Sequence, residues 1–223
     1  MANIYSTAAH DGYILSSSGV SNWDTVRDAT DGISTGRTQT RGTQNIKASK
    51  TAGRGGGFLW QVYRSFLWFD TSGVSDTDDT EDITLYIYGF YNTTADLFAV
   101  KSTHSTSLVK ADFDAMTGWG GSGDQESNVT KYSSEVTSWN ASAYNAITLN
   151  AAARTDLENN DELKICLIES VHDLRDIEPG DGDQFKSGHY YSDYSGTFRD
   201  PYIEYTPVAV AVTDNATFFG ANF

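Results

Sequence analysis

Cysteine is almost missing from this chain of 223 residues, which has only Cys166. No internal disulfide can form, so any durability outside a cell has to come from packing and assembly. Cys166 itself reads as a small buried hydrophobe in a strand. Proline is scarce, at three residues, while aromatics make up 13%, a balance that excludes a disordered proline-rich chain and fits a packed β protein with tight turns. No apolar run reaches membrane-spanning length. The opening Met1-Ala2-Asn3-Ile4-Tyr5-Ser6 lacks the basic and apolar regions of a signal peptide, so the expectation is a soluble chain without a visible export signal. Basic residues number 15 against 30 acids, a net charge of −15. That excess repels phosphates and disfavours nucleic acid as a partner.

The few basic residues are clustered. Between Ile33 and Phe69 there is no acid, while Arg37, Arg41, Lys47, Lys50, Arg54 and Arg64 all fall there. Such a stretch either docks on an acidic neighbour, including another copy of the chain, or is a solvated basic loop. Residues 16–57 are mostly Gly, Ser, Thr and Gln, and the stretch reads as an extended loop or arm ending in a flexible Gly53-Arg54-Gly55-Gly56-Gly57 hinge.

Strand signals surround this arm. Apolar density rises from Phe58 to Asp70, where both faces look covered. Ile83, Leu85 and Ile87 alternate with Thr84, Tyr86 and Tyr88, predicting one aliphatic face and one aromatic, partly wet face. Further strands are expected at 11–15, 97–100, 146–149, 163–168 and 202–205. Short helical turns are expected from Leu108 to Met116 and from Ala151 to Leu157, the latter capped by Asn150. Many short strands without a fixed repeat mean a sandwich or barrel. Residues 1–207 form one domain on this reading. Val208-Ala209-Val210-Ala211-Val212 then makes a small-residue strand, and Phe218, Phe219 and Phe223 either fold back on the sandwich or dock on a neighbour.

Catalytic and metal signatures are weak. Gly32-Ile33-Ser34-Thr35-Gly36 has the letters of a nucleophile elbow but not its strand–turn–helix context. Gly118-Trp119-Gly120-Gly121-Ser122-Gly123 has the letters of a dinucleotide fingerprint without a βαβ unit, and reads as a loop. His10, His104, His172 and His189 show no metal-ligand spacing. The acids at 173, 176, 178, 181 and 183, like those from Asp76 to Asp82, crowd their loops without reproducing a calcium-loop pattern. No catalytic residue, metal or cofactor is assigned.

The run Arg64-Ser65-Phe66-Leu67-Trp68-Phe69-Asp70, then Leu85-Tyr86, Tyr191-Ser192-Asp193-Tyr194 and Asp200-Pro201-Tyr202-Ile203-Glu204-Tyr205, resembles the DNRLRE domain family across roughly Ile4 to Pro207. The resemblance implies a jelly-roll β-sandwich similar to carbohydrate-binding modules, found in secreted bacterial surface proteins, with similar domains in tailed-bacteriophage structural proteins. The expected fold is therefore an all-β jelly-roll β-sandwich with long loops and an extended arm. The expected function is a non-enzymatic bacteriophage virion protein, a head decoration protein forming homo-oligomers or binding the virion shell protein and exposed after lysis. Its partner-binding residues would be Arg37, Arg41, Lys47, Lys50, Arg54, Phe218, Phe219 and Phe223. The alternative is a carbohydrate-binding module or adhesin that grips an anionic polysaccharide, such as a host-surface glycan, through the same basic stretch. Neither reading involves nucleic acid or membrane.

Overall fold

The computed structural model describes residues 1–36, 44–78, 81–91, 95–193 and 195–208. The fold is an all-β, jelly-roll-like sandwich in which every strand pairing is antiparallel. Its strands are β1 (Ala2–Tyr5), β2 (Gly12–Ser18), β3 (Ser34–Gly36), β4 (Ile46–Ala52), β5 (Phe58–Asp70), β6 (Ile83–Tyr91), β7 (Leu97–Lys101), β8 (Tyr144–Leu149), β9 (Glu162–Glu169), β10 (Gln184–His189) and β11 (Tyr202–Tyr205). Among the described residues, two short α-helices, α1 (Trp23–Arg27) and α2 (Ala151–Asn159), and a π-helical turn at Ser170–Leu174 interrupt them.

The long β5 is the spine. One edge pairs with β2, while the other pairs with β4 along its first half and with β9 along its second. Adding β3 on β2, β7 on β9 and β10 on β4 completes the inner sheet. The outer sheet is β1-β11-β6-β8. Strand β10 belongs to both, pairing with β4 over Gln184–Ser187 and with β6 at Gly188 and His189.

Leu85, Ile87, Ile147 and Ile203 of the outer sheet meet Leu67, Phe69, Ile165 and Leu167 of the inner sheet in one core. A second core lies on the far side of the inner sheet, where Val62, Phe66, Val100, Cys166 and Ile168 are covered by Trp23, Val26, Leu108, Phe113, Met116 and Val129. The inner sheet is thus buried on both faces around the second half of β5, and the outer sheet on one. The apolar density of β5, uninterrupted over Phe66–Phe69, and the alternation of β6 are the sequence forms of those two environments. Cys166 is fully buried in β9, and burial pushes its thiol well above the ordinary range.

Several expectations need correction. Where it is described, the segment 16–57 is not an arm: β4 sits inside the sheet with Ile46 and Ala48 buried, and α1 buries Trp23, Val26 and Arg27. A strand flanked on both sides needs few apolar residues of its own, because its neighbours supply hydrogen bonds and cover. The glycine hinge is the β4–β5 turn, closed by Gly53 N–H donating to Gly57 O at 2.7 Å, with Gly55 and Gly56 at φ 84° and 85°. Only Lys110–Asp112 is helical between Leu108 and Met116, as a single 3-10 turn. The second helix forms as expected, with the Asn150 side chain accepting from the Ala152 and Ala153 N–H groups. Strands β1, β3, β4 and β10 were not expected. Among the described residues no helix is long and apolar enough to cross a membrane.

Candidate functional site

Of the expected binding residues, the structure describes Lys47, Lys50 and Arg54. Arg37, Arg41, Phe218, Phe219 and Phe223 lie outside the described residues. Arg54 is exposed in the β4–β5 turn. Lys50 is held within the chain, its Nζ 3.0 Å from Glu178 and 2.8 Å from Asp181, so the acidic loop after β9 docks on the basic strand β4. Lys47 is buried beside Gln61 and Tyr63.

Arg64, the first residue of the family-like run, is structural. Its guanidinium is fully buried and makes paired bonds to Asp173 at 2.6 and 2.9 Å, with further bonds to Phe113 O and Arg27 O, both at 2.9 Å. Phe113 and Trp119 lie 4.1 and 4.2 Å from it. Arg27, also fully buried, donates to the carbonyls of Asp173, Leu174, Gly121 and Gly123. The glycine loop that resembled a phosphate cradle therefore wraps a guanidinium with its carbonyls, the opposite polarity from a phosphate site.

The histidines serve separate contacts. His10 rests on Trp68, His104 pairs with Ser102 at 2.8 Å and His172 lies 4.0 Å from Phe185. His189 bonds Ser65 at 2.7 Å, and Ser65 meets Tyr191 at 2.6 Å. This Ser–His pair has the spacing of a nucleophile and base, yet Ser65, His189 and Tyr191 are at most 1% exposed and burial lowers His189 to about 4. It is a core hydrogen-bond network closed to solvent. Among the described residues no three His, Cys, Asp or Glu side chains group as a metal site.

What the fold does assemble on its surface is an aromatic face. Register aligns Tyr5, Tyr202 and Tyr86 across β1, β11 and β6, and sets Tyr88 opposite Tyr144 on β8. Tyr86 and Tyr202 stack at 4.8 Å and 13°, and Tyr5 follows at 5.5 Å. Tyr144 meets Tyr86, Tyr88 and Tyr202 edge-on at 5.2 to 6.3 Å. Tyr190 joins Tyr88 at 5.7 Å, and the Arg199 guanidinium lies 4.6 Å from Tyr190 and 5.0 Å from Tyr88.

Ala146 opposite Tyr86 leaves room for the Tyr144 ring. The rings spend their faces on one another, so edges and hydroxyl ends are what a partner would touch. Partial burial, with neighbouring tyrosines and acids adding to it, pushes the Tyr144 hydroxyl up to about 12, and those of Tyr86 and Tyr202 are also raised. They stay protonated at physiological pH, the Tyr144 hydroxyl donating to Asp200 O at 3.1 Å and that of Tyr86 to Glu204 at 3.5 Å, so their oxygens are left to accept from a partner.

In a chain that is 20% charged, the outward positions of these four strands carry one charge, Glu204, with Arg199 at the margin. A groove of about 610 Å³ along β8, lined by Trp139, Tyr144 and Ala146 among others, adjoins the face. The alternation in β6 announced part of this surface. Tyr5, Tyr144 and Tyr202 were missed as members because only strand pairing brings them together. No protein-family model and no curated protein matches the chain.

Proposed function

We propose that the protein is a non-enzymatic structural component of a bacteriophage virion, a decoration protein that attaches to the shell or to its own copies. The observation that carries this reading is the tyrosine face: a nearly uncharged, hydroxyl-edged sheet surface on an acidic molecule. Partly exposed tyrosines in a flat array are the side chains of macromolecular contact, offering large area for little entropy, and a charge-poor patch is where an acidic protein meets a neighbour with least repulsion. A sandwich closed around buried arginine and histidine networks provides a rigid mount for that face.

The test is to fractionate particles from the native source on a density gradient and quantify the chain against a shell protein by mass spectrometry. Co-banding at a fixed, high ratio is expected. A chain that stays at the top of the gradient while particles band below would overturn the reading. A second reading, an adhesin for an anionic polysaccharide, is favoured by Arg199 lying among Tyr88, Tyr190 and the exposed Phe198; saturable binding to alginate that is lost in Arg199→Ala would move the assignment there.

A further inference from the structure

Three cations are buried among the described residues: Arg27, Arg64 and Lys47. Arg64 is neutralised by Asp173, and Arg27 is ion-paired with Asp28 and lies 3.7 Å from Asp176. Lys47, only 6% exposed, faces no acid among the described residues. Its Nζ donates to Gln61 Oε1 at 2.9 Å and lies 5.6 Å from the Tyr63 ring centroid, which itself stacks on Tyr13 at 5.6 Å. Strand β10 sets Lys186 directly opposite Lys47 in register, adding a second positive charge. No other charged group among the described residues acts on it.

A buried ammonium held only by an amide oxygen and an aromatic ring is an uncompensated charge, and such a charge calls for a counter-ion. In a chain with twice as many acids as bases, its isolation is conspicuous. The groups around it are rich in donors: the remaining ammonium protons, the second amide N–H of Gln61, whose side chain also bonds Tyr63, and the Tyr63 hydroxyl proton. This set suits an oxyanion and would repel a metal ion. The Lys47–Gln61 bond is only part-buried, and Gln61, Tyr63, Tyr13 and Lys186 are all half-exposed. Lys47 itself stays covered, while the groups around its ammonium reach the margin of the sheet, where a ligand can meet them.

We propose that Lys47, with Gln61 and Tyr63, forms a binding site for a carboxylate group of an incoming ligand. The site lies on β4 and β5 of the inner sheet, apart from the tyrosine face, and the inference stands whether or not the chain belongs to a virion. The carboxylate takes the place of the missing acid: its oxygens accept from the ammonium and the amide, and Lys186 adds attraction at longer range.

The test is a pH titration of the lysine side chains of the full chain by ¹⁵N-edited NMR, in sodium chloride and in sodium acetate at equal ionic strength. In chloride, burial and Lys186 hold Lys47 down at about 8. In acetate it should rise by about one unit or more, because a bound anion favours the charged form, while the exposed Lys110 stays put. In parallel, acetate should raise the thermal midpoint of the wild type near pH 7 but not that of Lys47→Met. Identical Lys47 titrations in the two salts, or equal shifts at Lys110, would overturn the proposal. The titration needs only the wild-type chain and decides the matter even if the variant fails to fold.

Discussion

Asp173 answers two fully buried guanidiniums, accepting from Arg64 through both carboxylate oxygens and from Arg27 through its backbone carbonyl. Removing its charge leaves Arg64 buried without a counter-ion. Asp173→Asn should therefore destabilise the fold by about 3–5 kcal/mol, in the range for breaking a buried pair from one side. Replacing both partners, Arg64→Met with Asp173→Leu, should cost markedly less than the sum of the single changes. Urea denaturation of Asp173→Asn, of Arg64→Met and Asp173→Leu singly and of the double variant, followed by tryptophan fluorescence, measures both.

At this scale the sequence was least transparent. Arg64 stood in a run of basic residues and looked like its neighbours, and its partner lies 109 positions away. Charge can be read from a letter, but the environment that makes it structural cannot. Lys50 carried the same ambiguity: its basicity was visible, its acidic partners at Glu178 and Asp181 were not.

Elements were legible in proportion to how much of their cover they supply themselves. Strand β6 carries its own alternation, β9 its own apolar run, and α2 its own Asn150 cap, and each was expected where it lies. Strands β4 and β10 draw cover from β5 and β6, and they mix single apolar residues with Lys, Ser, Thr, Ala, Gln, Gly and His in no strand-like alternation, so nothing local marked them as strands.

The aromatic side of β6 makes an element-scale prediction. Tyr86→Ser with Tyr202→Ser deletes a stacked pair from the outer face without touching Leu85, Ile87 or Ile203 beneath it. Stability should fall by only about 1–3 kcal/mol, the pair term plus lost partial burial. If the proposed virion role holds, attachment to particles should nevertheless be abolished. Thermal unfolding together with rebinding of the purified chain to stripped particles separates the two effects; retained binding would exclude the tyrosine face as the contact.

Across the whole molecule, four buried titratable groups oppose one another. Burial raises Asp11 and Glu169 to about 7 and lowers His104 and His189 to about 4. A carboxyl raised above its unfolded value holds a proton that the unfolded chain has released. Its contribution is full below about pH 4 and is lost as pH rises to about 7. A histidine lowered below its unfolded value works in reverse, contributing above about 6.5 and losing that contribution as pH falls to about 4.

Two groups of each kind nearly cancel between pH 4.5 and 6.5, leaving these four sites a nearly flat stability profile. Replacing both histidines with asparagine should unmask the carboxyls. Relative to the wild type, stability should then gain a downward trend with rising pH of up to about 1.4 kcal/mol per unit for each group over that window. Calorimetry of both proteins across pH 4.5 to 7.5 checks the sign.

The overall class was the most legible level, because many short strands, scarce proline and abundant aromatics together leave little but a sandwich. The strand order was not, since it depends on partners far apart in the chain. One element of that order has a mechanical consequence. Because β10 is hydrogen-bonded into both sheets, the two layers cannot slide past each other or part at that corner without rupturing backbone bonds. Breathing of the sandwich should therefore favour its other edges, and the amides of Ser187, Gly188 and His189, at the corner that joins the layers, should be among the slowest to exchange.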